Sequence, residues 1–147
     1  MPTNRNAQSY MGLAKAVAPE VDVNGIIRNF IWSPRFAAKV AAYTVTAKET
    51  GTYFTTVGAT TAITFTLPAI ADGPWVFKFI NAVDLAMTVA AGTADTMIGF
   101  NDVDLDSIAA AQAGELIGSI INAYCDGTKL IVSTEGSSEV TTFALTD

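Results

Sequence analysis

Residues 51–80 read GTYFTTVGATTAITFTLPAIADGPWVFKFI, and this stretch decides the fold. Ile63, Phe65 and Leu67 alternate with Thr64 and Thr66, the period-2 pattern of a strand that is half buried and half exposed. Pro68 ends it, because proline has no N–H to give to a ladder. Asp72-Gly73-Pro74 supplies turn chemistry, and Trp75 to Ile80 follows as a second run of aromatic and β-branched residues. The segment is strand, turn, strand, stop, turn, strand.

The same grammar continues outward from it. Tyr43–Thr46, Tyr53–Val57, Leu85–Val89, Thr96–Ile98, Glu115–Tyr124, Lys129–Ser133 and Val140–Leu145 each read as a strand, with turn residues between them. Asp126-Gly127 is a hairpin signal. Residues 99–113 read as a looser stretch carrying several acids. Short strands with turn signals every 8 to 12 residues or so predict an all-β domain over residues 43–147, an antiparallel sandwich or jelly-roll-like arrangement. Residues 1–42 lack that regular spacing and read as an N-terminal arm. Within it, 7–18 has the composition of a short helix bounded by Pro19, and Asn24-Gly25 is a turn signal. Residues 36–42 fit either a helical turn or a strand edge.

Composition bears on how the surface is used. Of 147 residues, 50% are hydrophobic and 15% are charged, and mean hydropathy is +0.37. About 25% charged is usual for a soluble domain. No apolar run approaches the roughly 20 residues of a spanning helix, so the excess predicts apolar surface buried between subunits rather than in a membrane. The net charge of −6 is unevenly spread. Residues 1–40 carry Arg5, Lys15, Arg28, Arg35 and Lys39 against Glu20 and Asp22, on an otherwise acidic chain. Such a basic segment suits an acidic partner surface. The cations are scattered singly, without the dense stripe that nucleic acid requires, so no nucleic-acid role is expected. Residues 1–12 contain no apolar core of a secretory signal, which predicts synthesis and use without secretion.

The chain contains no histidine, which removes the usual general base, the histidine triads and most zinc sites. Neither a Walker pattern nor G-x-G-x-x-G is present. Asp102, Asp104 and Asp106 have the alternate spacing of a calcium loop, but Ser107 and Ala113 stand where that loop needs glycine and glutamate. The plainer expectation is that Val103 and Leu105 face inward while the acids face water. The lone Cys125 makes no internal disulfide. No enzyme activity and no cofactor are expected. The residues singled out for partner contact are Arg28, Phe30, Trp32, Arg35, Phe36 and Lys39, where aromatic side chains interleave with cations. Such aromatics serve as a stacking platform or, more commonly, anchor a segment to its own core or to a neighbouring subunit.

The order ETGTYFTTVGATTAITFTLPAIADGPWVFKFINA, then LAMTVAAGTADTMIG, then AYCDGTKLIVSTEG resembles a β-structured virion module of tailed bacteriophages. That module occurs in trimeric capsid decoration (cement) proteins and in domains of head and tail fibres. The likeness covers about residues 43–136 and consists of turn and core residues. It departs at Thr56, where asparagine is common, and at Leu130, where an aromatic residue often stands. The resemblance implies a homotrimer on the capsid exterior, with the major capsid protein as partner. It carries no catalytic residues. The alternative within the same likeness is a receptor- or glycan-binding module of a fibre, with loops such as 99–113 as the binding element.

Overall fold

The computed structural model describes residues 20–21, 27–28, 35–94, 96–111, 117–135 and 143–146. The chain divides into two compact units, Met1–Ser33 and Pro34–Asp147. In the first, β1 (Glu20–Val21) pairs antiparallel with β2 (Ile27–Arg28), Glu20 lying opposite Arg28. The segment 7–18, expected as a helix, lies outside the described residues.

The second unit is built almost wholly of strands. They are β3 (Arg35–Ala38), β4 (Tyr43–Thr44), β5 (Thr52–Thr55), β6 (Ile63–Thr66), β7 (Trp75–Ile80) and β8 (Met87–Ala90). After these come β9 (Met97–Gly99), β10 (Asp102–Leu105), β11 (Ser107–Ala110), β12 (Ile120–Cys125), β13 (Leu130–Glu135) and β14 (Phe143–Thr146). Short 3-10 turns at Ala47–Glu49 and Ile70–Asp72 are its only helical elements among the described residues. The sequence placed the division after residue 42; in the structure it precedes β3, which is an edge strand of the larger sheet.

Two sheets form, in the orders β10-β9-β13-β12-β7-β5-β3 and β14-β11-β8-β6-β4. Both are mixed. β12 is antiparallel to β7 and β13, and β11 is antiparallel to β8 and β14. The ladders β3–β5–β7 and β4–β6–β8 are parallel. From β3 to β8 the chain changes sheet at every strand, so each sheet receives alternate strands running the same way. Parallel neighbours usually need a helical crossover; here a strand of the opposite sheet is the crossover. The all-β expectation holds, and the expected antiparallel pairing is corrected for these ladders. Turn residues mark where a chain bends, and they read alike whether the next strand joins the same sheet or the facing one.

The two sheets enclose one core. Phe54, Trp75, Phe77, Phe79, Ile121, Ala123, Leu130 and Val132 enter it from the larger sheet, and Ile63, Phe65, Met87, Val89 and Ile108 from the smaller. The Phe65 and Phe79 rings meet across the layers at 4.9 Å, and Phe54 lies 5.8 Å from Phe65. Each such side chain contributes roughly 1.5–3 kcal/mol by leaving water. The expected alternation in residues 63–67 is seen directly: Ile63, Phe65 and Leu67 are buried, while Thr64 is exposed. Gly92 marks a close approach between chain segments. A Cβ there would strike the carbonyl oxygen of Leu67.

Residues 99–113, expected as a loop, contain β10 and β11. Gly99 pairs with Asp102 across a two-residue hairpin turn in which Phe100 (φ 54°) and Asn101 (φ 68°) are both left-handed, the primed-turn geometry whose twist matches the flanking strands. The register then shifts, with Met97 opposite Leu105, so that Val103 and Asp104 together oppose Ile98 as a bulge. The bulge corrects the expected alternation: Leu105 is buried, but Val103 is 67% exposed. Strand β12 begins at Ile120 rather than at Glu115, and Ile117–Gly118 is a turn.

Candidate interaction surface

The six residues expected to contact a partner separate into three groups. Arg28 lies in β2, its backbone paired with Glu20. Phe30 and Trp32 lie outside the described residues. Arg35, Phe36 and Lys39 come together along the edge strand β3 and the turn after it. Among the described residues β3 pairs with β5 alone and ends the larger sheet, and no described strand pairs with the other side of its backbone. Phe36 is 64% exposed, and its ring stands edge-on to Tyr53 at 5.3 Å and 77°. Arg35 is exposed at the rim of a shallow groove of about 140 Å³, shared with Phe36, Ala37, Glu49 and Thr52.

Behind this edge a polar cluster holds the turn in shape. The Lys39 ammonium sits 3.2 Å from the Tyr43 ring centroid, a cation–π contact. The Tyr43 hydroxyl donates to Glu49 Oε1 at 2.7 Å, and the Thr46 N–H and hydroxyl both donate to Oε2 at 2.9 Å. Partial burial pushes the Glu49 carboxyl up. The hydrogen bonds from Thr46 and Tyr43, with the charge of Lys39, outweigh that and hold it below its ordinary 4.5. Lys39 is engaged by its own unit, and Arg35 and Phe36 are both exposed at the edge, their side chains on opposite faces of β3.

A second surface lies on the outer face of the same sheet, and no sequence pattern had pointed to it. Register places Val76 beside Tyr124, Tyr124 beside Ile131, and Ile131 beside Ile98. The bulge adds Val103 opposite Ile98. These five apolar side chains form one stripe across five adjacent strands, β7, β12, β13, β9 and β10. Strand spacing makes the stripe roughly 19 Å long. Val76 is 43% exposed, Tyr124 42%, Ile131 46% and Val103 67%. One row away, Lys78 bridges both oxygens of Glu135 at 3.1 Å, and Glu135 accepts a bond from Asn122 at 2.8 Å. The bonds from Lys78, then Asn122, outweigh a slight desolvation and lower the Glu135 carboxyl. The outer face of the smaller sheet differs in kind: Thr44, Thr64, Thr66, Thr88, Ala90, Ser107 and Ala109 occupy it. The stripe escaped the sequence reading because β7 and β12 carry apolar residues on both faces, with Lys78 and Asn122 as the polar exceptions. Continuous apolar runs do not say which residue faces water.

A groove of about 580 Å³ runs beside β4 and is lined by Val45, Leu67, Pro68 and Ala69, with Lys48 and Asp72 at its margins. Among the described residues, no cluster of three or more acidic or cysteine side chains is placed to hold a metal. Asp102 Oδ1 instead accepts the Asp104 N–H at 3.2 Å. No helix among the described residues is long and apolar enough to cross a membrane. No family model, curated protein or solved structure matches the chain.

Proposed function

We propose that this chain is a structural virion protein that decorates and stabilises a bacteriophage capsid by bridging capsomers. The carrying observation is the β3 edge, where a 64% exposed phenylalanine stands beside an exposed arginine on a chain of net charge −6. An exposed aromatic and an exposed cation suit a partly apolar, acidic partner surface, and the major capsid protein is the partner we assign to it. The sequence before β3 serves as the docking arm, in which Arg28, Phe30 and Trp32 offer further cationic and aromatic contacts to the same partner. The sequence likeness over residues 43–136 supports the same reading.

The mechanism is mechanical. A protein that binds the closed shell and not its dissociated parts stabilises the shell by linkage. Three copies in a trimer repeat one contact, and avidity makes attachment firm even where each contact is weak. One observation favours the rival reading, a glycan- or receptor-binding fibre module: Phe100, at the tip of the β9–β10 turn, is 48% exposed, and exposed aromatics stack on sugars.

Immunogold labelling of purified virions with antibody against this chain separates the readings. Regular labelling of the head surface is the expected result, abolished when capsids are reconstituted with Phe36→Ser, Arg35→Glu protein. Labelling confined to fibres selects the rival. Absence of the chain from purified virions overturns both.

A further inference from the structure

We infer that the stripe of Val103, Ile98, Ile131, Tyr124 and Val76 is the surface on which copies of this chain meet one another, stripe against stripe around the axis of an oligomer. The inference rests on the homo-oligomeric part of the proposed function and names the residues that would build it. It concerns a different part of the sheet from the docking edge. The stripe occupies β10 to β7, whereas Phe36 and Arg35 lie at β3.

Charge identifies the occupant. In a symmetric contact the same patch is used on every copy, and residues near the axis meet their own equivalents, so a charge at the centre of the stripe would face the same charge. A chain of net charge −6 repels itself over most of its surface. The five stripe side chains are uncharged at neutral pH. Of the charges at their margin, Lys78 is neutralised within the same copy by Glu135 at 3.1 Å, Lys129 lies opposite Asp126 across the β12–β13 hairpin, and Asp104 stands at the β10 end. Two or three such stripes can therefore close together with no unpaired charge at their centre. A charged shell protein would be a poor occupant, because its charges would find no partner here. An extended peptide would be poor as well: β9, β13, β12 and β7 each have strand neighbours on both sides, so a ladder could be added only at β10, at one end of the stripe, and would leave most of it uncovered. What fits is a second flat, apolar, neutral sheet face. The chain's own stripe has those properties.

The test is mass by light scattering behind size exclusion on the full chain and two variants. Wild type is expected as an oligomer. Ile131→Lys puts like charges together at the contact and is expected to reduce the mass to that of one chain. Val57→Lys, at a comparably exposed apolar residue (56%) outside the stripe, is expected to leave the mass unchanged. Far-ultraviolet circular dichroism checks that each variant is folded. Ile131→Cys gives a readout that does not depend on the lysine variant folding. Oxidised glutathione is expected to link copies through this thiol, and the native Cys125, buried, is expected to stay free. An Ile131→Lys protein of wild-type mass, or an Ile131→Cys protein that never cross-links, overturns the stripe as the contact while leaving an oligomer in place. A wild-type chain that is monomeric at every concentration overturns the oligomer itself, and a heterologous partner would then be the occupant. Neither mass result decides whether the virion carries the protein, which the labelling experiment reads separately.

Discussion

Glu49 joins three parts of the chain through one carboxylate: the Tyr43 hydroxyl at the end of the β3–β4 connection, and the backbone and side chain of Thr46 at the start of the 3-10 turn. Because these bonds favour the charged form, its folded pKa lies below the ordinary 4.5. A carboxyl lowered on folding stabilises the native state above its unfolded pKa and loses that contribution as pH falls through the folded value. Stability is therefore expected to fall below about pH 4.5. Glu49→Gln is expected to cost roughly 1 kcal/mol at pH 7, since the group is only partly buried. The same variant flattens the decline between pH 5 and pH 3 (roughly), read by urea denaturation at each pH. An unchanged pH slope would show that the cluster does not couple to folding. Asn81 has a comparable joining role inside the fold. Its side chain accepts from the Thr56 hydroxyl at 2.6 Å and donates to the Leu85 carbonyl at 2.8 Å, while its backbone bonds both Ser119 and Gly118. That node ties the ends of β5 and β7 to the turn before β12.

Among the elements, β3 separates an arm from a sheet edge. Its four residues pair in parallel with β5 from Arg35–Thr52 to Ala38–Thr55, Lys39 continues the ladder to Thr55 at 2.8 Å, and Ala37 packs partly on the core. Removing residues 1–33 is expected to leave the β unit folded, because the division between units falls there. Removing residues 1–42 instead strips β3 and unpairs β5. It is expected to lower the melting temperature by roughly 5–10 °C, the equivalent of a few kcal/mol in a domain of this size. It should also favour aggregation through the bared strand. Thermal denaturation of the two truncations side by side checks this, and equal melting temperatures would remove β3 from the stabilised unit.

At the scale of the whole molecule, the apolar composition divides between a core and a stripe. The core takes Phe54, Phe65, Phe77 and Phe79. The stripe leaves Val76, Tyr124, Ile131 and Val103 in water on an isolated copy, a contiguous arrangement of the kind that marks interaction surfaces. If folding and assembly are coupled through it, the melting temperature rises with protein concentration, each tenfold step adding about 1.4 kcal/mol per dissociating copy. Calorimetry from about 1 to about 100 μM is expected to show that rise. A midpoint independent of concentration would mean that single copies unfold on their own.

Local chemistry made the strands legible. Alternation at Ile63, Phe65 and Leu67, the proline stop at Pro68 and the Asp126-Gly127 turn each act over a few residues, and all appear where the sequence puts them. The turn works as read: Gly127 adopts φ 93°, and Asp126 Oδ1 accepts the Thr128 and Lys129 N–H groups at 2.7 Å. The Phe100-Asn101 turn was missed because phenylalanine rarely adopts the left-handed region and Asn101 is not followed by glycine, and with it went the bulge that turns Val103 outward. Strand direction, sheet membership and the stripe were not legible at all. They depend on which distant strand each segment meets. β7 and β12 carry apolar residues on both faces, so the stripe exists only once five strands stand side by side. Pairing across the chain, a tertiary event, created that surface.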